Sequence, residues 1–256
     1  MASSGLPVAL LIIYLTLSLP AIFVAFKHGF KHGAIVGWFF LFTFCTLRIV
    51  ASAIELHDAT SSGASLVASI GLSPLLAATC GVLHESRAHI LPKSQRPFDT
   101  PYLIFFHILV STAIALVASG ASKLSDTTLP PDQMKRSHGL VKGGMVLLLL
   151  GWISLAIVTL ATFQYASIRG SGKMTAFEGG RKLLFAVAFS IPFLGIRVLE
   201  SLIFFFSQNP LLNPVSGSLG LRVGLQVIEE IIVTLSLMTA GILTRNIGAA
   251  RPTGSY

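Results

Sequence analysis

Seven stretches of roughly twenty mostly apolar residues divide this chain, at about 7–26, 34–56, 64–83, 102–120, 144–166, 183–206 and 219–243. A hydrocarbon layer about 30 Å thick needs an α-helix of that length to cross it. Only 11% of the 256 residues are charged, against about 25% in an ordinary soluble domain. So few charges do not cover a water-facing surface of this size. The chain is therefore expected to be all-α: a polytopic membrane bundle of seven transmembrane helices with the lipid bilayer as its first partner. Residues 1–256 form a single seven-helix domain in this reading. Residues 7–26 lack a basic n-region and reach Lys27 without an A-x-A site. They are expected to stay as the first span and not to be cleaved as a signal peptide.

The basic residues fall mainly in loops. Lys27, Lys31, Arg87, Lys93, Arg96, Arg169, Lys173, Arg181, Lys182, Arg245 and Arg251 lie on one side of the expected topology. Lys123, Lys135, Arg136 and Lys142 lie on the other, all in the fourth loop, about 121–143. The excess places the C-terminus in the cytosol and the N-terminus outside or in the lumen, with the endoplasmic reticulum as the expected membrane. The net charge of +8 thus reflects membrane orientation, and no nucleic acid partner is expected. Thr128-Leu129-Pro130-Pro131-Asp132 reads as a turn within the fourth loop. Cys45 and Cys80 sit inside apolar segments without a CxxC or Cys/His cluster. No disulfide framework, metal or cofactor is expected.

Charge inside the spans carries the chemistry. A charged side chain at mid-membrane costs about 2.5–3.5 kcal/mol on insertion scales. It persists when it is paired, hydrated or turned inward. Span 2 holds Arg48, Ser52 and Glu55 on one helix face. Span 6 holds Arg197 and Glu200. Span 7 holds Arg222, Gln226, Glu229 and Glu230. At 1.5 Å per residue, Arg48 and Arg197 lie roughly 12–13 Å inside, and Glu229 and Glu230 about 15–17 Å. Glu55, Glu200 and Arg222 lie within roughly 10 Å of the same end. One shared polar site between spans 2, 6 and 7 is expected.

Four acids face three arginines there. Arginine keeps its proton, so one carboxyl is left without a cation. In a low-dielectric site that carboxyl is expected to stay neutral and able to donate a proton. The alternative is structural: buried Arg–Glu pairs set helix register and packing. His107, alone in span 4, reads as a hydrogen-bonded packing residue. His84-Glu85-Ser86-Arg87 reads as the solvated end of span 3. The phenylalanines crowding spans 2 and 6 read as lipid-facing or packing residues.

Thr46-Leu47-Arg48-Ile49-Val50-Ala51-Ser52 and Gly195-Ile196-Arg197-Val198-Leu199-Glu200-Ser201 match in outline. Each places an Arg, branched apolar residues and a small hydroxyl at mid-helix. A parallel 3+1+3 repeat would pair spans 1–3 with spans 5–7.

Ile70-Gly71-Leu72-Ser73-Pro74-Leu75-Leu76, Arg48-Ile49-Val50 and Ser190-Ile191-Pro192-Phe193-Leu194 ahead of Arg197 resemble a fungal seven-span integral-membrane family of unknown function. The resemblance covers nearly the whole chain in span order. It implies a setting in fungal secondary metabolism and a kinship with membrane-bound terpene cyclases of meroterpenoid pathways. No catalytic position carries over residue by residue. A similarity to fungal seven-span lipid-translocating exporters extends to topology alone.

Two functions are expected from this. One is a metal-independent isomerase of the terpene cyclase type. In it, Glu55, Glu200, Glu229 or Glu230 protonates an epoxide or olefin of a lipophilic prenylated substrate, with Arg48, Arg197, Arg222 and Gln226 pairing charge or binding substrate. No DDxxD-type motif for Mg²⁺–diphosphate is present. The other is a lipid transporter, translocase or receptor-like protein with structural Arg–Glu pairs. A transporter needs polar groups in both halves of the membrane, whereas the visible cluster occupies one half.

Overall fold

The computed structural model describes residues 5–29, 34–58, 67, 70–124, 130–168, 175–207, 210–212 and 217–247. Lys31, Asp126, Thr128, Leu129, Arg169, Lys173 and Arg251 lie outside them, as do residues 64–66, 68 and 69 of the third expected span. The chain is all-α, with no strand among the described residues. Its long helices are α1 (Gly5–His28), α2 (Ala34–His57), α3 (Leu72–Ile90), α4 (Asp99–Leu124), α5 (Pro131–Ile168), α6 (Thr175–Ser207) and α7 (Leu219–Leu243). All but α3 are long and apolar enough to cross a membrane. Ile12, Leu19 and Phe26 on α1, Phe105 on α4, Leu160 on α5 and Ile203 on α6 are exposed. Water does not tolerate such continuous apolar faces, and a bilayer does. The chain is a multi-pass membrane protein.

Local chemistry explains several helix ends. Gly29 follows α1 with φ +69°, the left-handed stop that glycine adopts without strain. Pro131 opens α5, at the first position of a helix, where a missing N–H costs nothing. The loop expected at 121–143 is therefore mostly helix: α4 runs to Leu124 and α5 begins at Pro131. A polar stretch outside the hydrocarbon still forms helix when it continues one already nucleated. With 38 residues, α5 is about 57 Å long and exceeds the hydrocarbon layer. Its first turns carry Lys135, Arg136 and Lys142, and Lys142 Nζ lies 5.2 Å from the ring centre of Phe206 at the end of α6.

Neighbours in sequence pack as neighbours in space, and α1 meets α7. Helix α3 touches α2, α4, α5, α6 and α7. Gly71 just before it and its residues 72–83 are all buried. A helix enclosed by protein does not need lipid-soluble side chains, which explains why Gly71, Ser73, Ala77, Ala78, Thr79 and Gly81 suffice. It also runs on to Ile90, beyond the expected end of span 3.

Small residues let backbones approach. A Cβ on Gly81 would stand 2.4 Å from Gly37 Cα, where α2 crosses α3. Gly81→Ala is expected to cost about 1–3 kcal/mol, read as a lowered unfolding midpoint in detergent. A change below about 0.5 kcal/mol, typical of surface sites, contradicts this crossing.

Candidate functional site

The end of the bundle where α1 and α7 begin is called upper below. Helix α7 starts with Leu219–Arg222, continues through a π-helical turn at Val223–Val227 and returns to α-helix at Ile228. Residues four apart on a straight α-helix rotate by about 40° at each step. The wider turn offsets that drift. Arg222, Gln226 and Glu230 are all buried and line one cleft.

Glu230 is the hub. Its Oε1 accepts from Arg48 Nη2 of α2 and, at 2.9 Å, from Arg197 Nε of α6. Tyr14 of α1 donates to its Oε2 at 3.5 Å. Arg197 Nη1 also donates to Glu200 Oε2 at 2.5 Å and to the Ser201 hydroxyl. Gln226 Nε2 donates to Glu200 Oε1 at 2.8 Å. Arg197 is 1% exposed and Glu230 2%, so water does not screen these charges. Such a network is weak as a source of stability, because desolvation offsets much of the attraction. It holds the helices in one arrangement, since each partner strands the others if it moves.

Nearer the end, Arg222 Nη2 donates to Glu55 Oε1 at 2.8 Å. That pair, Arg48, Ser52, Gln226 and Glu230 line a cleft with Leu10, Ala51 and Val227. It is narrow and open to solvent on one side. Arg48 Cζ also lies 5.7 Å from the Phe44 ring centre.

The structure thus brings Arg48, Arg197, Glu200, Gln226 and Glu230 into one network and places Glu55 and Arg222 at its mouth. Glu229 stands apart. It is buried, and its Oε2 has no hydrogen-bond partner among the described residues. It does not line the cleft. Tyr14 joins the network from a helix whose sequence is nearly all apolar, and nothing there marks it out.

The lower half corrects one expectation. His84-Glu85-Ser86-Arg87 is no solvated helix end: Glu85 is 2% exposed and Ser86 fully buried. Glu85 Oε1 pairs with His28 Nδ1 at 2.6 Å, and Oε2 accepts from Trp38 Nε1 at 2.9 Å. His28 Nε2 lies 2.9 Å from the Gly241 carbonyl oxygen, where it donates. The Ser86 hydroxyl donates to the Gly180 carbonyl at 2.8 Å. Arg87 donates to Asp99 Oδ1 at 2.7 and 3.0 Å, and to the Thr162 hydroxyl at 2.6 Å. Glu85 thus joins α1 and α2 to α3, and Arg87 joins α3 to α4 and α5. Trp38 is fully buried.

His107 Nδ1 bonds the Leu103 carbonyl oxygen at 2.7 Å, and the ring packs 5.1 Å from Phe40. This is the packing role read from sequence. No three His, Cys, Asp or Glu residues gather as a metal site among the described residues.

A family model described as a domain of unknown function, DUF7702, matches residues 2–247. Neither a curated protein nor a solved structure matches the chain. The family match runs across all seven long helices and takes in both buried polar centres, so the chain belongs to the DUF7702 family.

Proposed function

We propose that this protein is a seven-span translocase for an amphiphilic molecule, seen with its cleft open at the upper, lumenal or outer end. In this reading α3 crosses the membrane as a seventh, fully enclosed span. The observation that carries the proposal is the presence of buried polar centres in both halves of the bundle, one around Glu230 and one around Glu85. They sit eleven residues apart along α7, from Glu230 to Gly241, which is about 16 Å. Buried Ala21, Leu41, Val233 and Leu237 lie between them in sequence on α1, α2 and α7 and belong to one apolar cluster. Polar sites above and below an apolar seal suit alternating access, in which one set of helices rocks against another. Arg48 and Arg197 meet on one oxygen of Glu230. Their like positions in the two similar sequence segments favour a parallel 3+1+3 repeat as the rocking unit in this reading.

Reconstitution into phosphatidylcholine vesicles with a fluorescent phospholipid tests the reading. Dithionite quenches label in the outer leaflet alone. Vesicles carrying the protein are expected to lose label well beyond the outer-leaflet share. Quenching equal to that of protein-free vesicles overturns the translocase.

A second reading is favoured by Glu229, whose buried Oε2 lacks a partner among the described residues. That is the environment of an acid kept neutral for proton donation. The reaction would be the terpene cyclase-type isomerisation of a prenylated epoxide or olefin, with the proton returned on ring closure. Glu229→Gln is expected to abolish formation of cyclised isomers of unchanged mass in microsomes fed such substrates. Full turnover by that variant removes the proton-donor role.

A further inference from the structure

We propose that the upper cleft binds the anionic headgroup, carboxylate or phosphate, of a membrane amphiphile, with Arg48 as its anchor. The proposal rests on the translocase reading for the fate of the ligand and on the cleft alone for its binding.

Counting donors and acceptors points to an acceptor. Each carboxylate lining the cleft has at least one oxygen engaged by this chain's own donors. Glu55 Oε1 accepts from Arg222, and Glu230 accepts from Arg48, Arg197 and Tyr14. The Gln226 amide donates to Glu200. Arg48 is not used up. A guanidinium carries five N–H groups in a planar fork. Arg48 commits Nη2 to Glu230, while its buried Nε has no hydrogen-bond partner among the described residues. Its side chain is 9% exposed and lines the cleft. A buried donor left unmade is costly, and an oxyanion is the group whose geometry matches that fork.

Size and lining decide the rest of the ligand. The cleft is narrow and open to solvent on one side, so it receives the oxyanion itself and not an acyl or prenyl chain beside it. Leu10 of α1 and Val227 of α7 give the cleft an apolar wall. The first carbons of a tail lie against that wall, and the remainder stays in the bilayer.

Binding to the full-length protein in phosphatidylcholine nanodiscs tests this, by displacement of radiolabelled oleate. Oleate or lysophosphatidate is expected to bind saturably, and methyl oleate about tenfold or more weaker. Arg48→Gln is expected to weaken oleate by about tenfold or more, with Arg48→Lys in between. Ala51→Leu narrows the cleft without touching a charge. It is expected to reduce binding in protein that still unfolds cooperatively and keeps its Trp38 fluorescence, so loss of binding is separable from loss of fold. Equal affinity for methyl oleate overturns the proposal. So does unchanged binding by Arg48→Gln and Ala51→Leu, or displacement of oleate by equal concentrations of acetate or inorganic phosphate. Oleate binding without lipid movement in vesicles leaves the headgroup site standing and removes the translocase. Lipid movement with equal affinity for the neutral ester does the reverse.

Discussion

Glu230→Ala is expected to destabilise the bundle by about 3–5 kcal/mol, the range for breaking a buried charge network by removing one partner. The change takes one carboxylate away from two guanidiniums, Arg48 on α2 and Arg197 on α6. Arg197 keeps Glu200 and Ser201. Among the described residues Arg48 keeps no other hydrogen bond, only its packing on Phe44. Most of the loss therefore traces to Arg48. Glu230→Ala combined with Arg48→Met is expected to recover a large part of it, because an apolar side chain of similar length carries no buried charge. Glu229→Gln is expected to change stability little, since that carboxyl joins no bond in the network. Unfolding midpoints of purified protein in one detergent check the series. A Glu230→Ala variant within about 1 kcal/mol of wild type contradicts the shared hub.

The second large effect is expected at Glu85→Ala. Two donors lose their acceptor together: His28 at the end of α1 and Trp38 near the start of α2. Each buried group left unsatisfied costs about 1–3 kcal/mol. The change also opens a void beside the fully buried indole of Trp38, whose ring packs against Gly241 of α7 and 4.8 Å from His28. Glu85→Gln still accepts from Trp38 and is expected to lose much less. Were Glu85 a solvated residue at a helix end, both variants would lie within about 0.5 kcal/mol of wild type. Trp38 fluorescence supplies an independent readout, because loss of the carboxylate changes the polarity around the indole. Trp152→Phe as the background leaves Trp38 as the remaining indole.

The two centres differ in how visible they are in the sequence. Arg48, Arg197 and Glu230 stand inside apolar runs, where charge has no solvent to reach, so an inward-facing cluster follows from cost alone. Glu85 and Arg87 sit among histidines at the end of such a run. There, burial and solvation predict the same residue types. What buries them is tertiary: the ends of α1 and α2 fold over Glu85, and Gly180 of α6 comes close enough for Ser86 to reach its carbonyl. No local pattern encodes those approaches. The apolar spans α1, α2, α4, α6 and α7 were legible because lipid selects length and hydropathy. The lower end of α3, at Ile90 and not near residue 83, is hidden in the sequence because enclosure by five other helices removes the need for a clean apolar boundary. The start of α5 is ambiguous in the sequence because Pro130-Pro131 signals both a turn and a helix N-terminus. Tyr14 was missed because a hydroxyl on an apolar face carries no periodic signal.

Two-sided access separates a translocase from a closed pocket. Ser52 lines the upper cleft beside Arg48, and a cysteine there reports which side water enters from. The measurement is the reaction rate of Ser52→Cys, in a background with Cys45 and Cys80 replaced by alanine, with a membrane-impermeant cationic thiol reagent applied to either face of sealed vesicles. The translocase reading predicts reaction from both faces, with the protein exchanging between upward-open and downward-open forms. Reaction from the upper face alone, at any time of exposure, would contradict it and leave the cleft as a one-sided pocket.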